Sequence, residues 1–537
     1  MTPLLPTPLL ATPLLAFAPI VVPAVGAAIY ALLGWRRVTV WVGTGSAILV
    51  LLAAIGLTPH VLGPDRGGEG VTVVGLLLVD PLSVFMLTVI GAVAVLTALA
   101  TPAYLHTEIT AGRASARTAA RHSMLVQAFL AAMALAVLAA DLGVVWVAIE
   151  ATTIITAFLV GQHHTRTAVE AAWKYVVICS AGIALALLGV VLLNFASLHT
   201  GTGAGLSWSG LTAAATHLDP GVTRIAVVML VIGFGTKAGL APLHAWLPDA
   251  HSQAPAPVSA LMSGVLLAVA FSTILRIKVI ADIALGPGFT RALLIAAALA
   301  SLLVAASLLL AQRDYKRMLA YSSIEHMGLL ALGAAVGGPV AMAAVLLHVL
   351  GHALVKSVLF LGAGRLLQSS GTTQIDRVQG LASRQPALAG CLGLGVLALI
   401  GLPPFSIFAS ELGIVRAGFS SAFPALGWAT AVALLIVIVI AAAMIGHTSR
   451  MLLGDTAARA NDFAARPDDT AGEPHDAAVK PRVWVEGPGA AAAPILLPRS
   501  VTAALVLGLA VAAALGVSTG PLSTLLTAAA HTVSGAP

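Results

Sequence analysis

About fourteen apolar windows, most of them roughly twenty residues long, leave this chain very few folds to choose from. They fall near 14–34, 38–58, 77–99, 122–141, 143–161, 171–193, 223–241, 256–275, 291–311, 324–338, 340–363, 386–409, 422–445 and 501–518. An α-helix rises ~1.5 Å per residue, so such a window matches the ~30 Å hydrocarbon core of a bilayer. Inside lipid each segment must satisfy its own backbone donors and acceptors, which selects helices. Apolar residues make up 59% of the chain and charged ones 9%, where a soluble domain carries about 25% charged. The expected fold is an all-α polytopic membrane protein of about fourteen transmembrane helices. The net charge of +6 reads as a bias of cytoplasmic loops, not as a nucleic-acid surface, and no nucleic-acid partner is expected. Cys179 and Cys391, the only cysteines, lie in separate apolar runs and form no disulfide, Fe–S or metal pattern, so any redox centre belongs to another subunit. The apolar start lacks the basic residues and small-residue cleavage site of a removable signal peptide.

The loops set an orientation. Arg36 and Arg37 follow span 1, Arg113 and Arg117 span 3, and Arg166 span 5; Arg313, Lys316 and Arg317 follow span 9, and Arg365, Arg377 and Arg384 span 11. Basic loops after odd-numbered spans place those loops in the cytoplasm and both termini outside. Arg276 and Lys278, after span 8, run against this pattern and are expected to snorkel from a helix end. The polar stretch 447–499 reads as a cytoplasmic linker to a last helix in 501–537.

Ionisable residues inside the apolar windows carry the functional signal, because a charge at that depth costs several kcal/mol unless it is received by a partner or water. Glu150 lies well inside span 5 and is either a packing carboxylate or a proton carrier. Lys174, near the start of span 6 and close to Glu170, is either an interfacial snorkeller or a relay partner for Glu150. Lys237 ends a long apolar run just before Gly239 and Pro242 break the helix, and an amine there can alternate between charged and neutral forms. His244, Asp249 and His251 follow that break, between prolines, as an accessory polar cluster. His348, His352 and Lys356 recur at every fourth residue and so share one helical stripe, a sensible proton wire. Two histidines alone do not make a zinc site, and no metal or cofactor is expected. Glu325 and His326 read as polar residues at the mouth of span 10. Gly401, Pro403 and Pro404 mark a second broken span just before Glu411. Two breaks, one in each half, suggest duplicated units. No nucleotide-binding glycine loop, nucleophile elbow or CxxC is present.

The segments KAGLAPLHAWLPDAHSQAPAPVSALMSG, DYKRMLAYSSIEHMG, LLHVLGHALVKSVLFLGAG and GLPPFSIFASELGIV together resemble the antiporter-like membrane subunits of respiratory complex I, Mrp-type cation/proton antiporters and membrane-bound hydrogenases. The resemblance covers roughly 75 to 445. WVAIEATTIITAFLVG and EAAWKYVVICSAGIALALLG look most like the hydrogenase-4 component F type, related to formate hydrogenlyase membrane subunits. The resemblance implies two inverted five-helix repeats with broken helices 7 and 12: helices 1–3 in 1–99, helices 4–8 in 122–275 and helices 9–13 in 291–445. The family's essential glutamate then falls on Glu150, its helix-seven lysine on Lys237, its His/Lys stripe on His348, His352 and Lys356, and its terminal ionisable residue on Glu411. Where several relatives carry a bridging lysine in helix eight this chain has Ala268, so the link must use water, His251 or another side chain. The long lateral helix of the largest such subunits is not expected after Ser518.

The function this implies is a proton-translocating membrane subunit of a multisubunit redox complex, hydrogenase-4 or formate hydrogenlyase-like. Its partners would be further antiporter-like membrane subunits, peripheral Ni–Fe hydrogenase-like and Fe–S subunits, lipid, and protons or Na+. Its place would be the bacterial inner membrane. An Mrp-type Na+/H+ antiporter subunit shares the same site chemistry. A non-pumping scaffold for a peripheral oxidoreductase is the reading Ala268 favours, and the retained buried charges oppose it.

Overall fold

A computed structural model describes residues 8–62, 70–200, 205–454, 497–520 and 522–534. Among them the regular structure is helical apart from one small two-stranded hairpin. In order it forms α1 (Pro8–Leu33), α2 (Val42–Val61), strands β1 (Val71–Val73) and β2 (Leu77–Val79), α3 (Pro81–Thr110), α4 (Ala116–Leu138), α5 (Leu142–Val160), α6 (Arg166–Leu198) and α7 (Trp208–Ala214). There follow α8 (Pro220–Ala238), α9 (Trp246–Gln253), α10 (Ala256–Leu261), α11 (Leu267–Leu285), α12 (Pro287–Leu310), α13 (Tyr315–Val336) and α14 (Gly338–Ser370). The last are α15 (Leu381–Arg384), α16 (Pro386–Leu399), α17 (Ser406–Phe419), α18 (Pro424–Leu453), α19 (Arg499–Val517) and α20 (Leu522–Ser534). Side-chain oxygens of Asp80, Ser115, Asp141, Asp219 and Asp314 cap the helices that follow them by accepting from backbone N–H groups of the first turn.

Thirteen helical segments among the described residues are long and apolar enough to cross a membrane. The broken pair α16 and α17 supplies one more crossing, which gives the fourteen expected, and the protein is a multi-pass membrane protein. The apolar windows of α10–α11 and α14 are wholly buried and that of α13 nearly so, whereas only 28% of the windows of α1 and of α18 is buried. The outward residues of the outer helices are apolar, among them Leu14, Leu32, Val147, Trp173, Val177, Trp428 and Leu435. Water would penalise such faces by about 25 cal/mol per Å², and lipid does not.

Two helix breaks interrupt the bundle. Gly239, with φ of +77°, ends α8 in the left-handed conformation that glycine adopts without strain, and Leu240 N–H closes back on Gly235 O at 2.9 Å. The second break, between α16 and α17, turns at Gly401, where a β-carbon would overlap the Glu411 carboxylate. Ala241–Pro242 and Pro403–Pro404 are cis at these two points. Between α10 and α11 the residues Met262–Leu266 form a single π-helical turn, and Ser263 Oγ lies 2.8 Å from Ser323 Oγ of α13.

Several expectations need correction. Arg276 and Lys278 do not snorkel. Arg276 donates to both Asp80 carboxylate oxygens at 2.7 and 2.9 Å and to Ser83 Oγ at 2.9 Å, and Lys278 meets Asp282 at 2.5 Å. Arg276 is therefore a tertiary clasp, while Lys278 is paired one turn along its own helix α11, and both fall outside the loop-charge pattern because they are paired inside the bundle. The tenth span starts well before 324, because α13 turns polar residues inward and its first turns carry too little hydropathy to show. Helix α18 runs through Leu453, so the expected linker 447–499 starts inside a helix, and its residues 455–496 lie outside the described residues. The stretch after Leu522 is a helix, α20, whose Leu525, Leu526, Ala529, Ala530 and Val533 are buried, with α3 and α14 among its neighbours.

Candidate functional site

Lys237 ends α8 fully buried. Its Nζ donates to Thr153 Oγ1 of α5 at 3.0 Å and to Tyr175 OH of α6 at 2.7 Å, and it lies 4.9 Å from the centre of the Tyr175 ring. Tyr175 OH also pairs with Thr156 Oγ1 and its ring meets Trp246 edge-on at 5.0 Å. The Trp246 indole donates to Thr236 O at 2.9 Å, satisfying one of the carbonyls that the end of α8 leaves open. Glu150 sits on α5 one turn before Thr153, near enough for its charge to reach Lys237. Its Oε2 is buried without a hydrogen-bond partner among the described residues. The receiving groups of the ammonium are thus hydroxyls, with the carboxylate held back from it.

Lys174 is placed elsewhere. It is half-exposed and joins Glu170 at 2.7 Å and Asp249 at 3.3 Å, not Glu150. The reason is helical phase: on α6 the buried positions are Ala168, Ala171, Tyr175, Cys179, Gly182 and Ala186, and residue 174 faces away from them. Asp249 also meets Arg317 of α13 at 2.8 Å, so it ties α9 to α6 and α13. His244 is partly buried in the break, and its Nδ1 has no partner among the described residues.

His251 lies at the centre. It is fully buried between the Trp246 and Phe360 rings, at centroid distances of 6.5 and 5.0 Å, and neither ring nitrogen has a partner among the described residues. Lys356, His352 and Lys316 are its electrostatic neighbours. Lys316, expected as a cytoplasmic loop charge, is buried and donates to Ser252 O at 2.7 Å and Ala254 O at 2.9 Å. It closes the C-terminal end of α9, where a cation is favoured. Ala268 is buried and apolar, so no side chain at that position joins the two halves.

The second cluster is built from α13, α14 and α17. Lys356 is fully buried, and its Nζ donates to Leu319 O and Ser322 Oγ, both at 2.5 Å. Glu325 and His326 are in the middle of α13, not at its mouth, and both are buried. Glu325 lies within electrostatic reach of Lys356 and Glu411. His326 packs against His348 and His352 at ring distances of 5.1 and 5.0 Å. His326 Nδ1 and His348 Nε2 are 3.0 Å apart, and His348 Nδ1 is 3.0 Å from Ser410 Oγ. The expected stripe on α14 is present, and it reaches Glu411 through residues of α13 and α17. His326, His348 and Glu411 bring one ligand-type atom each to within 4.8 Å of one another.

Sequence reasoning missed Tyr175, Thr153, Lys316, Ser322 and Ser410. Tyr175 carried a signal: it falls in phase with the small residues Ala171, Cys179, Gly182 and Ala186. The three serines and threonines are common at buried helix contacts and carried none.

Residues 139–443 match the family of NADH:quinone oxidoreductase/Mrp antiporter transmembrane regions. The chain is 37% identical over 409 residues to a hydrogenase-4 component F homolog of Methylacidiphilum infernorum, covering 75% of this chain and 84% of that protein. In fold it is similar to a chain of the archaeal membrane-bound sulfane sulfur reductase, at a TM-score of 0.79 and 24% identity over 97% and 98% of the two chains. It is also similar to a chain of respiratory complex I from Thermus thermophilus, at a TM-score of 0.73 and 24% identity over 97% and 99%. The architecture is thus the fourteen-helix one, with two inverted five-helix repeats and broken helices 7 and 12, in which the buried lysines above are set. The chain belongs to the NADH:quinone oxidoreductase/Mrp antiporter transmembrane family.

Proposed function

We propose that this chain is a proton-translocating membrane subunit of a multisubunit redox complex of the hydrogenase-4 kind. One observation carries the reading: titratable groups run from the first helix break to the second through the buried Lys237, His251, Lys356, His352, His326 and His348 to the partly buried Glu411. A purely structural bundle gains little from so many desolvated charges. Broken helices with an ionisable group beside each break give the freed backbone and the charge a shared site. The identity to the hydrogenase-4 component F homolog supports membership of a redox-driven assembly.

In this scheme protons enter the first repeat at Glu150 and Lys237, cross by His251 in place of a helix-eight lysine, and leave the second repeat past Glu411. Hydroxyls of Thr153, Tyr175 and Ser322 hold the ammonium groups between transfers. The protein carries no redox role of its own in the scheme. Electron transfer in peripheral Ni–Fe and Fe–S subunits changes charge or hydration at one end, and further antiporter-like subunits pack beside it. The membrane is the bacterial inner membrane, with both termini outside. The family includes Mrp antiporters, so Na+ is the competing cargo.

The test is reconstitution of the assembled complex in vesicles, with internal pH and Na+ followed after addition of the electron donor. Lys237→Ala and Glu150→Gln are expected to abolish proton uptake while electron transfer and assembly survive. Normal proton uptake in Lys237→Ala sinks the proposal, and Na+ movement in its place points to the antiporter.

A further inference from the structure

Beyond carrying protons, the second cluster has the makings of a metal site. His326 of α13, His348 of α14 and Glu411 of α17 converge from three helices, with their ligand-type atoms within 4.8 Å of one another. Both imidazoles are buried. The hydrogen-bond pattern fixes which nitrogen is free to bind. Ser410 Oγ donates to Ile407 O at 2.7 Å, so its lone pairs face His348 Nδ1 at 3.0 Å, which must donate to it. His348 then carries its proton on Nδ1 and presents a bare Nε2, which takes a hydrogen bond from His326 Nδ1 at 3.0 Å. A metal-binding histidine commonly has this form, with one nitrogen on the ion and the other held by an oriented acceptor.

We propose that His326, His348 and Glu411 form a site for a divalent first-row transition ion, with zinc as the probe. Two imidazoles and a carboxylate make a donor set that suits zinc and leaves a fourth position open. Nitrogens bound at ~2.0–2.1 Å to a tetrahedral ion lie about 3.3 Å apart, so the two rings need separate by only a few tenths of an ångström. The ion replaces the proton now shared between them, and His326 keeps its own proton by moving it to Nε2. Hard cations such as Na+ and Mg2+ prefer oxygen donors and are poorly served by the two nitrogens. If the proposed proton path is right, and this consequence rests on it, bound zinc occupies the lone pair the path needs and stops proton movement.

The experiment uses the assembled complex stripped of loosely held metal and titrated with buffered Zn2+. Zinc-edge X-ray absorption on the wild-type complex is expected to show two imidazole nitrogens and oxygen at the added zinc, a readout that needs no variant to fold. His348→Gln and Glu411→Gln are expected to remove that zinc, and Ser410→Ala to weaken it by about 10- to 100-fold through loss of the outer hydrogen bond. Added zinc without imidazole ligands, or binding unchanged in both His348→Gln and Glu411→Gln, overturns the site. Proton uptake in the same vesicles separates the two readings. Zinc bound at these residues with uptake unaltered upholds the site and removes the proton path through it.

Discussion

Tyr175 and Lys237 meet across the contact of α6 and α8, with phenol oxygen and ammonium nitrogen 2.7 Å apart. The partner of the buried charge is therefore a neutral hydroxyl, itself steadied by Thr156 and by the edge of Trp246. Removing that oxygen leaves the ammonium with Thr153 and costs about 1.5–3 kcal/mol, the worth of a hydrogen bond to a charged group. Tyr175→Phe is expected to slow proton uptake by about 10- to 100-fold with the complex intact. Vesicle acidification, normalised to electron transfer, measures it.

His251 fills the place between the halves without a hydrogen-bond partner among the described residues. His251→Leu keeps its volume between Trp246 and Phe360 and removes both nitrogens. Proton uptake is expected to fall by at least tenfold, while thermal stability stays within about 1 kcal/mol because a buried imidazole without partners is replaced by an apolar side chain. Unchanged uptake in this variant shows that the link runs elsewhere.

Lys316→Met is expected to lower stability, not transport alone. The substitution leaves Ser252 O and Ala254 O without their cation, at a cost of about 1–3 kcal/mol for the buried carbonyls. A lower melting temperature of the detergent-purified complex checks this.

Arg276→Ala strands a buried carboxylate. Asp80 is nearly inaccessible and takes both of its ion-pair hydrogen bonds from Arg276. Breaking a buried pair from one side costs about 3–5 kcal/mol, whereas an exposed pair costs under about 1. Glu170→Gln, which touches only the exposed Lys174 pair, is the matched control and is expected to be almost silent in the same melt.

Gly401→Ala adds a β-carbon where the Glu411 carboxylate lies and forces a positive φ on alanine. Displacement of Glu411 is expected to reduce proton uptake by at least tenfold, with a stability loss of about 1–3 kcal/mol from backbone strain. Uptake assays and melts on the same preparation separate the two effects.

The fold was legible because hydropathy integrates over a whole span: each window averages about twenty residues, and a single lysine such as Lys237 does not erase it. It failed where one helix mixes faces. In α13 the inward residues include Lys316, Ser322, Ser323, Glu325 and His326, so the helix looked like a loop at its start and its polar residues looked peripheral. The site was legible where a charge stood in an apolar run, as with Lys356, or beside a break, as with Glu411. It was misleading at Lys174, where one residue of helical rotation exchanges an outward lysine for an inward tyrosine. Ser410 could not be found from the sequence at all, since its importance comes from His348, which lies on another helix.

The π-helical turn at Met262–Leu266 alters how the crossing between the halves must be compared with relatives. A turn that holds an extra residue shifts the angular phase of everything after it by about 100°. Side chains beyond Leu266 therefore point one residue out of step with a count taken from Pro257, and equal spacing along two chains does not guarantee equal bearing. The position written as Ala268 is a place in a list before it is a direction in space. What the change of pitch does bring to the seam is Ser263, facing Ser323, so that a hydroxyl couple stands where the π-helical turn meets α13.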